Sequence, residues 1–196
     1  MKRFFALLIA LCMVLALTAC DSLPASLGGD DSDSSDVITA EEGYASGRIG
    51  DTMRSVFFDF TVNDAYLCGE YEGYIPSEGH TLLVLDMTVY NYTTASVPMF
   101  DTDFIVQWNS EEDDAFSVPV TTARDGYPNT GVEAMGDMLP EIYDVGINGT
   151  EQGLLVYEVA EGVTDFAVYY EEYFDDDTVG DLYVVYFTPE VRDAAV

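Results

Sequence analysis

Residues 83–90 read LVLDMTVY, and this stretch decides the fold class. Its odd-numbered positions are all apolar, whereas the even-numbered positions include Asp86 and Thr88. Side chains point alternately to the two faces of a β-strand, so this period of two places one apolar row on a single face. The stretch is therefore predicted to be a half-buried strand.

The same period of two recurs along the chain from about residue 47 onward. Turn-forming pairs such as Asn148-Gly149 separate the segments, and no stretch has a helical period of useful length. We predict an all-β, immunoglobulin-like antiparallel β-sandwich of about seven to eight strands, with a long loop over residues 121–140. The apolar rows of the predicted strands lie at 56–62, 83–89, 104–108, 155–159, 166–170 and 182–186.

The N-terminus has the features of a lipoprotein signal peptide. Lys2-Arg3 precede the apolar run FFALLIALCMVLALTA at 4–19, which is short for a membrane span and suited to a signal-peptide core. The run ends in Leu17-Thr18-Ala19-Cys20, which resembles the lipobox that lipoprotein-processing enzymes recognise. The resemblance implies cleavage before Cys20 and a diacylglyceryl thioether on its sulfur. Ordinary signal cleavage with free secretion is the alternative.

Composition divides the chain into four segments, beginning with the signal peptide at 1–19. Residues 20–46 are small, polar and acidic, which is typical of a flexible tether. Residues 47–190 carry the period-two pattern of the predicted domain, and residues 191–196 are a predicted C-terminal tail. This order predicts a protein held to the extracytoplasmic face of the cell membrane by lipid on Cys20.

The charge of the chain excludes some partners. Loss of Lys2 and Arg3 with the signal peptide leaves four arginines against 37 acidic residues, a formal charge of −33. A surface of this sign repels nucleic acid and anionic lipid headgroups, so no nucleic-acid partner is expected. The charge suits either self-repulsion at a crowded cell surface or the binding of divalent cations.

Three sequence blocks resemble a known family. They are IGDT at 49–52 with FFDFTVNDAYL at 57–67, EGHTLLVLDMTVYN at 78–91, and NGTEQGLLVYEV at 148–159. In order and spacing they resemble the bacterial extracytoplasmic domain of unknown function 4352 (DUF4352), over roughly residues 49–170. The resemblance implies an immunoglobulin-like sandwich and no activity, because the family has no established chemistry to carry over. The departures are Asn148, Tyr157 and Ala160, where the family often has Pro, Phe and Pro.

Two of these blocks carry local expectations. Asn91 ends its strand, and its side chain is expected to hydrogen-bond the following turn. Gly149 and Gly153 are expected to bracket a sharp entry into the strand that follows.

Few residues suggest catalysis. After the leader is removed, Cys20 and Cys68 are the remaining cysteines, so no internal disulfide is expected. His80 is the only histidine. Cys68 and His80 flank one loop, where a nucleophile and a base could meet. A packed thiol and a strand-edge imidazole are the alternative, and we predict no enzyme activity and no required cofactor.

Two sets of side chains are candidates for binding. The first set is acidic. Together with the acids at 111–114 it could bind calcium at one end of the sandwich. The alternative is that these are loop acids exposed to solvent. The members of this first set are Asp175, Asp176, Asp177 and Asp181. The second set could stack on sugars or anchor a protein partner if exposed, with half-buried strand residues as the alternative, and comprises Tyr71, Tyr74 and Tyr173.

These features predict a membrane-anchored, non-enzymatic binding or protein-interaction module whose protein or glycan partner is unknown. The alternative is a surface lipoprotein that binds a solute, a glycan or calcium.

Overall fold

The computed structural model describes residues 37–108, 116–123 and 130–193. The regular secondary structure in these ranges is almost entirely β-strand, with a 3₁₀ turn at Asp101–Asp103. Two sheets pack face to face, which confirms the predicted all-β sandwich. The predicted signal peptide, Cys20 and the acids at 111–114 lie outside the described residues. None of the helical structure described is long and apolar enough to cross a membrane.

The described residues form thirteen strands. They are β1 (Ile38–Thr39), β2 (Tyr44–Arg48), β3 (Thr52–Arg54), β4 (Asp59–Cys68), β5 (His80–Tyr90), β6 (Val97–Phe100), β7 (Ile105–Trp108), β8 (Phe116–Ser117), β9 (Ile142–Val145), β10 (Thr150–Ala160), β11 (Phe166–Tyr173), β12 (Val179–Phe187) and β13 (Glu190–Val191).

The first sheet has the order β1-β3-β4-β5-β10, with β13 paired to the end of β4. The second sheet has the order β2-β12-β11-β7-β8, and β6 and β9 form a separate ribbon. Most neighbours are antiparallel, as predicted. Three pairs are parallel instead, namely β1 with β3, β2 with β12, and β13 with β4. Each involves a strand near one end of the chain, which can reach its partner without a tight hairpin.

Aromatic rings fill the centre of the space between the sheets. The rings of Phe58, Phe60, Phe104, Tyr170 and Tyr183 contact one another at centroid separations from 4.8 to 6.4 Å. Such pairs contribute about 0.5–1.5 kcal/mol each beyond the burial of their area. The predicted apolar rows at 83–89, 104–108, 155–159 and 166–170 all face this core.

Strand β12 is apolar on both faces. Its inner row is Tyr183, Val185 and Phe187, whereas the apolar row identified from the sequence at 182–186 lies on the outer face. A period of two identifies two rows but cannot choose between them when both are apolar. The sandwich therefore carries an apolar outer row that the core does not use.

A second apolar cluster covers the outer face of the first sheet. Tyr66, Cys68, Leu82 and related side chains of β4, β5 and β10 pack there beneath loop residues. The predicted long loop at 121–140 supplies much of this cover where it is described. Its backbone is fixed to β10, since the Leu139 amide donates to the Leu154 carbonyl at 2.9 Å.

The folded domain begins before the predicted boundary at residue 47. Strand β1 and the first three residues of β2 lie inside the segment predicted as tether, and Ala45 of β2 is buried in the core. In the sequence of β2, YASGR, the two buried positions hold the small residues Ala45 and Gly47, so no row of large apolar side chains indicates a strand. The predicted tail at 191–196 also starts inside β13, and the Arg192 amide donates to the Leu67 carbonyl at 2.8 Å.

Asn91 confirms its predicted role. Its side chain is 0% exposed, and Nδ2 donates to the carbonyls of Ala95 at 2.7 Å and Val145 at 2.9 Å. Its Oδ1 accepts from the Thr93 amide at 2.8 Å. The amide group thus joins the turn after β5 to β9 with its hydrogen bonds satisfied.

The sharp entry into β10 is confirmed as well. Asn148 has a φ of 53°, a left-handed conformation that the ring of proline cannot adopt, which explains the departure from the family pattern at this position. A Cβ atom on Gly149 would lie 2.8 Å from the Gly146 carbonyl oxygen. A Cβ atom on Gly153 would lie 2.9 Å from the Asp137 carbonyl oxygen, so glycine lets the covering loop approach β10.

Candidate binding face

The outer face of the second sheet is the candidate functional site, and we call it the tyrosine face. Strand registers place its outward side chains in three rows that cross the sheet. The rows are Tyr44, Leu182 and Glu171; Ser46, Val184, Tyr169 and Ile105; and Arg48, Tyr186, Ala167, Gln107 and Phe116.

The tyrosine face is open to solvent although it is rich in apolar atoms. Tyr44, Phe116 and Tyr186 are 42%, 41% and 41% exposed. The outer face of the first sheet, by contrast, lies beneath the second apolar cluster. Exposed apolar surface of this kind, ringed by polar groups, marks binding sites more often than inert surface.

One shallow depression of about 330 Å³ lies on this face. Two more, of about 310 and 430 Å³, adjoin it at the end of the sheet, where the inward-row residues Trp108, Phe166 and Phe187 also line them. Tyr186 lines all three. The first extends toward Tyr44 and Glu171, and the third extends toward Asp165. Ala167 pairs with Tyr186 across the sheet, and its small side chain leaves room beside the tyrosine ring. Together the depressions make one shallow groove.

Tyr44 and Tyr186 form a preordered aromatic pair. Their hydroxyl oxygens lie 3.1 Å apart and share a hydrogen bond, which raises the pKa of Tyr186. The Arg48 guanidinium carbon lies 5.7 Å from the centroid of the Tyr186 ring, within the range of a cation–π contact. These contacts fix the orientation of the Tyr186 ring before any partner binds.

The tyrosines predicted from the sequence lie elsewhere or at the edge of this face. Tyr71 is 4% exposed and belongs to the second apolar cluster, so it lacks the exposure that a binding role requires. Tyr74 packs against the same cluster, and its hydroxyl donates to Glu158 at 2.5 Å. The loop that carries both folds back onto the first sheet. Tyr173 is 63% exposed at the end of β11, and its hydroxyl donates to Glu171 at 2.5 Å, beside the tyrosine face.

The predicted calcium ligands are not gathered around one point. Asp175, Asp176 and Asp177 lie in the turn between β11 and β12, where Asp176 Oδ1 accepts from the Thr178 amide at 3.1 Å. Asp181 lies in β12, and its amide donates to Glu172. Among the described residues, no three acidic, histidine or cysteine side chains are grouped as a metal site requires.

Cys68 and His80 do not form a catalytic pair in the described structure. Cys68 is buried in the second apolar cluster, and burial raises the pKa of its thiol, whereas a nucleophilic cysteine requires a lowered pKa. His80 is exposed, and its Nδ1 lies 3.3 Å from the Glu78 carbonyl oxygen. No hydrogen bond joins the two side chains within residues 37–108. The geometry matches a packed thiol and a strand-edge imidazole.

Glu172 is a buried residue that the sequence reasoning missed. It is 2% exposed, and its carboxylate accepts from the Val56 amide at 2.9 Å, the Asp181 amide at 3.1 Å and the Tyr183 hydroxyl at 3.2 Å. A Cβ atom on Gly180 would lie 2.6 Å from Glu172 Oε2, so glycine makes room for the carboxylate. Glu172 falls in the same alternating row as Phe166 and Tyr170, and this position in the sequence indicates that its side chain faces the core.

A pH-dependent stability is expected at the 3₁₀ turn. Asp103 Oδ2 accepts from the Phe100 amide at 2.9 Å, yet burial, with the nearby Asp101 charge, raises the pKa of Asp103 to about 6. Because the folded-state pKa is raised, protonation favours the fold. The contribution of Asp103 to the free energy of unfolding is expected to be highest below about pH 4 and to fall as the pH rises through about 6.

Asp103→Asn is therefore expected to gain about 1–2 kcal/mol over the wild type at pH 7 and little at pH 4. Urea unfolding at both pH values measures the difference. Glu161→Gln is the matched control, because it removes the same charge from an exposed turn. An equal gain in both variants would attribute the effect to net charge rather than to the buried carboxyl.

Comparisons with known proteins give similarity of fold only. No family model and no curated protein matches the chain. The similar solved structures include a candidate lipoprotein (ycdA) from Bacillus subtilis, with 13% identity and a TM-score of 0.48, covering 70% of this chain and 38% of that one. An uncharacterized β-sandwich protein from Clostridium difficile has 13% identity and a TM-score of 0.46, covering 76% and 97%. A candidate lipoprotein from Staphylococcus aureus has 13% identity and a TM-score of 0.45, also covering 76% and 97%.

The aligned part spans well under half the length of the Bacillus subtilis protein. At these identities and TM-scores we infer nothing about function from the similarities. The resemblance to DUF4352 stays a prediction, since no family model matches.

Proposed function

We propose that the protein is a lipid-anchored extracytoplasmic lipoprotein whose sandwich is a non-enzymatic binding module. The observation that carries the binding role is the tyrosine face, an apolar groove that stays open while the opposite outer face is covered. The anchor would be the lipid on Cys20, at the end of the sequence that resembles a lipobox. Membership of DUF4352 belongs to the same proposal and rests on the three sequence blocks.

The composition of the groove supports recognition rather than catalysis. Tyrosine offers a large rigid ring together with a hydroxyl, so it adds contact area at a low cost in conformational entropy. Tyr44 and Tyr186 are already held by their shared hydrogen bond, which lowers that cost further. The groups that flank them are an amide, a guanidinium and carboxylates, which give hydrogen bonds and orientation. A tethered module needs only these properties to hold a partner near the membrane.

Photo-crosslinking on intact cells tests the binding role. A benzophenone amino acid at Ser46, between Tyr44 and Arg48, is expected to give adducts with a partner, because benzophenone inserts into C–H bonds of proteins and glycans alike. The same group at Ile142, which is exposed on β9, serves as the control site. Adducts at position 46 are expected to be lost when Tyr186→Ala is added. Equal labelling from both positions would contradict a binding role for the face.

A further inference from the structure

The shape of the groove indicates an elongated ligand. Its depressions follow β11 and β12 from Glu171 at one end to Asp165 at the other. These residues are six positions apart along an extended segment, a span of about 20 Å. Tyr186 lies between the two ends and lines every depression. A single small solute would fill only one of the depressions, whereas a polymer strand would follow all three.

The chemistry of the groove suits sugars. Arg48 and Gln107 lie beside Tyr186 in one row of the face, and Glu171 lies in the row of Tyr44. Sugar rings present C–H faces that stack on aromatic rings and hydroxyl edges that bond to planar amide, carboxylate and guanidinium groups. The rings and planar polar groups of the groove therefore match the C–H faces and hydroxyl edges of a glycan.

Charge selects among glycans. Asp165 and Glu171 mark the two ends of the groove, and Arg48 is the basic side chain on the described face. The predicted mature chain carries a formal charge of −33, so its field repels strands that bear carboxylates or phosphates. The same field attracts protonated amines, and the carboxylates at the two ends offer them hydrogen-bond acceptors.

On this basis we propose that the tyrosine face binds a linear glycan whose sugar units carry free amino groups. The proposal rests on the proposed binding role of this face and adds the chemical class of the partner. Tyr44 and Tyr186 stack on sugar rings, Gln107 bonds to hydroxyls, and Asp165 and Glu171 receive the amines.

Calorimetry on the processed full-length lipoprotein in detergent tests the proposal with three hexasaccharides, made of glucosamine, N-acetylglucosamine and galacturonic acid. The glucosamine hexamer is expected to bind at pH 5.5 and to bind more weakly at pH 8, where its amines lose charge. Tyr186→Ala is expected to weaken this binding at least about tenfold. Tyr186→Phe, which keeps the ring, is expected to retain most of it.

Two controls separate recognition from charge attraction. Phe100→Ala removes an aromatic ring that is 44% exposed on β6, outside the tyrosine face, and is expected to leave binding unchanged. Spermine, an amine without sugar rings, is expected to bind with no dependence on Tyr186. If Tyr186→Ala leaves the glucosamine hexamer bound as tightly as in the wild type, the proposal is overturned.

The remaining outcomes distinguish this proposal from the proposed function. Binding of the N-acetylated hexamer in preference to the amine form would overturn the charge argument. If no sugar binds but the benzophenone at position 46 still gives adducts on cells, the glycan proposal is overturned. The proposed binding function is then retained, with a protein as the partner. Absence of those adducts would overturn the proposed function itself.

Discussion

Cys20→Ala is expected to remove the protein almost completely from the membrane fraction and to abolish its labelling by an alkyne fatty acid. The acyl chains on the Cys20 sulfur would contribute about 0.8 kcal/mol per buried methylene, and two chains are enough for stable anchoring. Alanine at position 20 has no sulfur to receive the diacylglyceryl group. Fatty-acid labelling followed by fractionation of the cells measures both effects.

Cys68→Ala is the matched control for this experiment. Cys68 is the buried cysteine of the second apolar cluster, so its loss is expected to leave both the label and the membrane location intact. A Cys20→Ala protein that still takes up the label, or that stays on the membrane after its leader is cleaved, would refute the lipid anchor.

Glu172→Ala is expected to lower the free energy of unfolding by about 3–5 kcal/mol. Alanine would leave the Tyr183 hydroxyl without its acceptor in the interior, and the Val56 and Asp181 amides without theirs at partly buried positions. Each unsatisfied buried group costs about 1–3 kcal/mol. Because domains are stable by only about 5–15 kcal/mol, this loss is expected to be visible in both urea and thermal unfolding.

The neighbouring residue supplies the comparison. Glu171 has the same side chain on the opposite face of β11, where its carboxylate accepts from Tyr173 near the surface, so Glu171→Ala is expected to cost under about 1 kcal/mol. A double-mutant cycle of Glu172→Ala with Tyr183→Phe is expected to show coupling, since the two groups share a hydrogen bond. Equal losses from Glu171→Ala and Glu172→Ala would contradict the buried network.

The sequence predicted the long central strands because each has one strongly apolar row. In β5 the row from 83 to 89 alternates with Asp86 and Thr88, so only one face can be buried. The short strands β1, β3, β8 and β13 have too few residues for a period to show. Their positions depend on long-range pairing, which local patterns do not encode.

The candidate site was harder to predict for a related reason. Tyr186 belongs to an apolar row that resembles a core row, and the equally apolar row beside it left the choice of face open. Tyr71 and Tyr74 lie in a polar-looking loop, yet the loop covers apolar surface that the sequence alone could not place above them. The tyrosine face combines side chains from strands far apart in sequence, so it exists only once the sheet has formed.

The parallel pairing of β2 with β12 also has a kinetic consequence. The Tyr44–Tyr186 hydrogen bond joins residues 142 positions apart, so the second sheet cannot be completed until nearly the whole chain is available. Domains rich in such distant contacts fold slowly, because the entropy of closing long loops is lost before the contacts form. In the proposed export of the chain, slow folding would keep it unfolded while it crosses the membrane. The strand that delays folding is also the one that completes the tyrosine face, so this surface would form only after export.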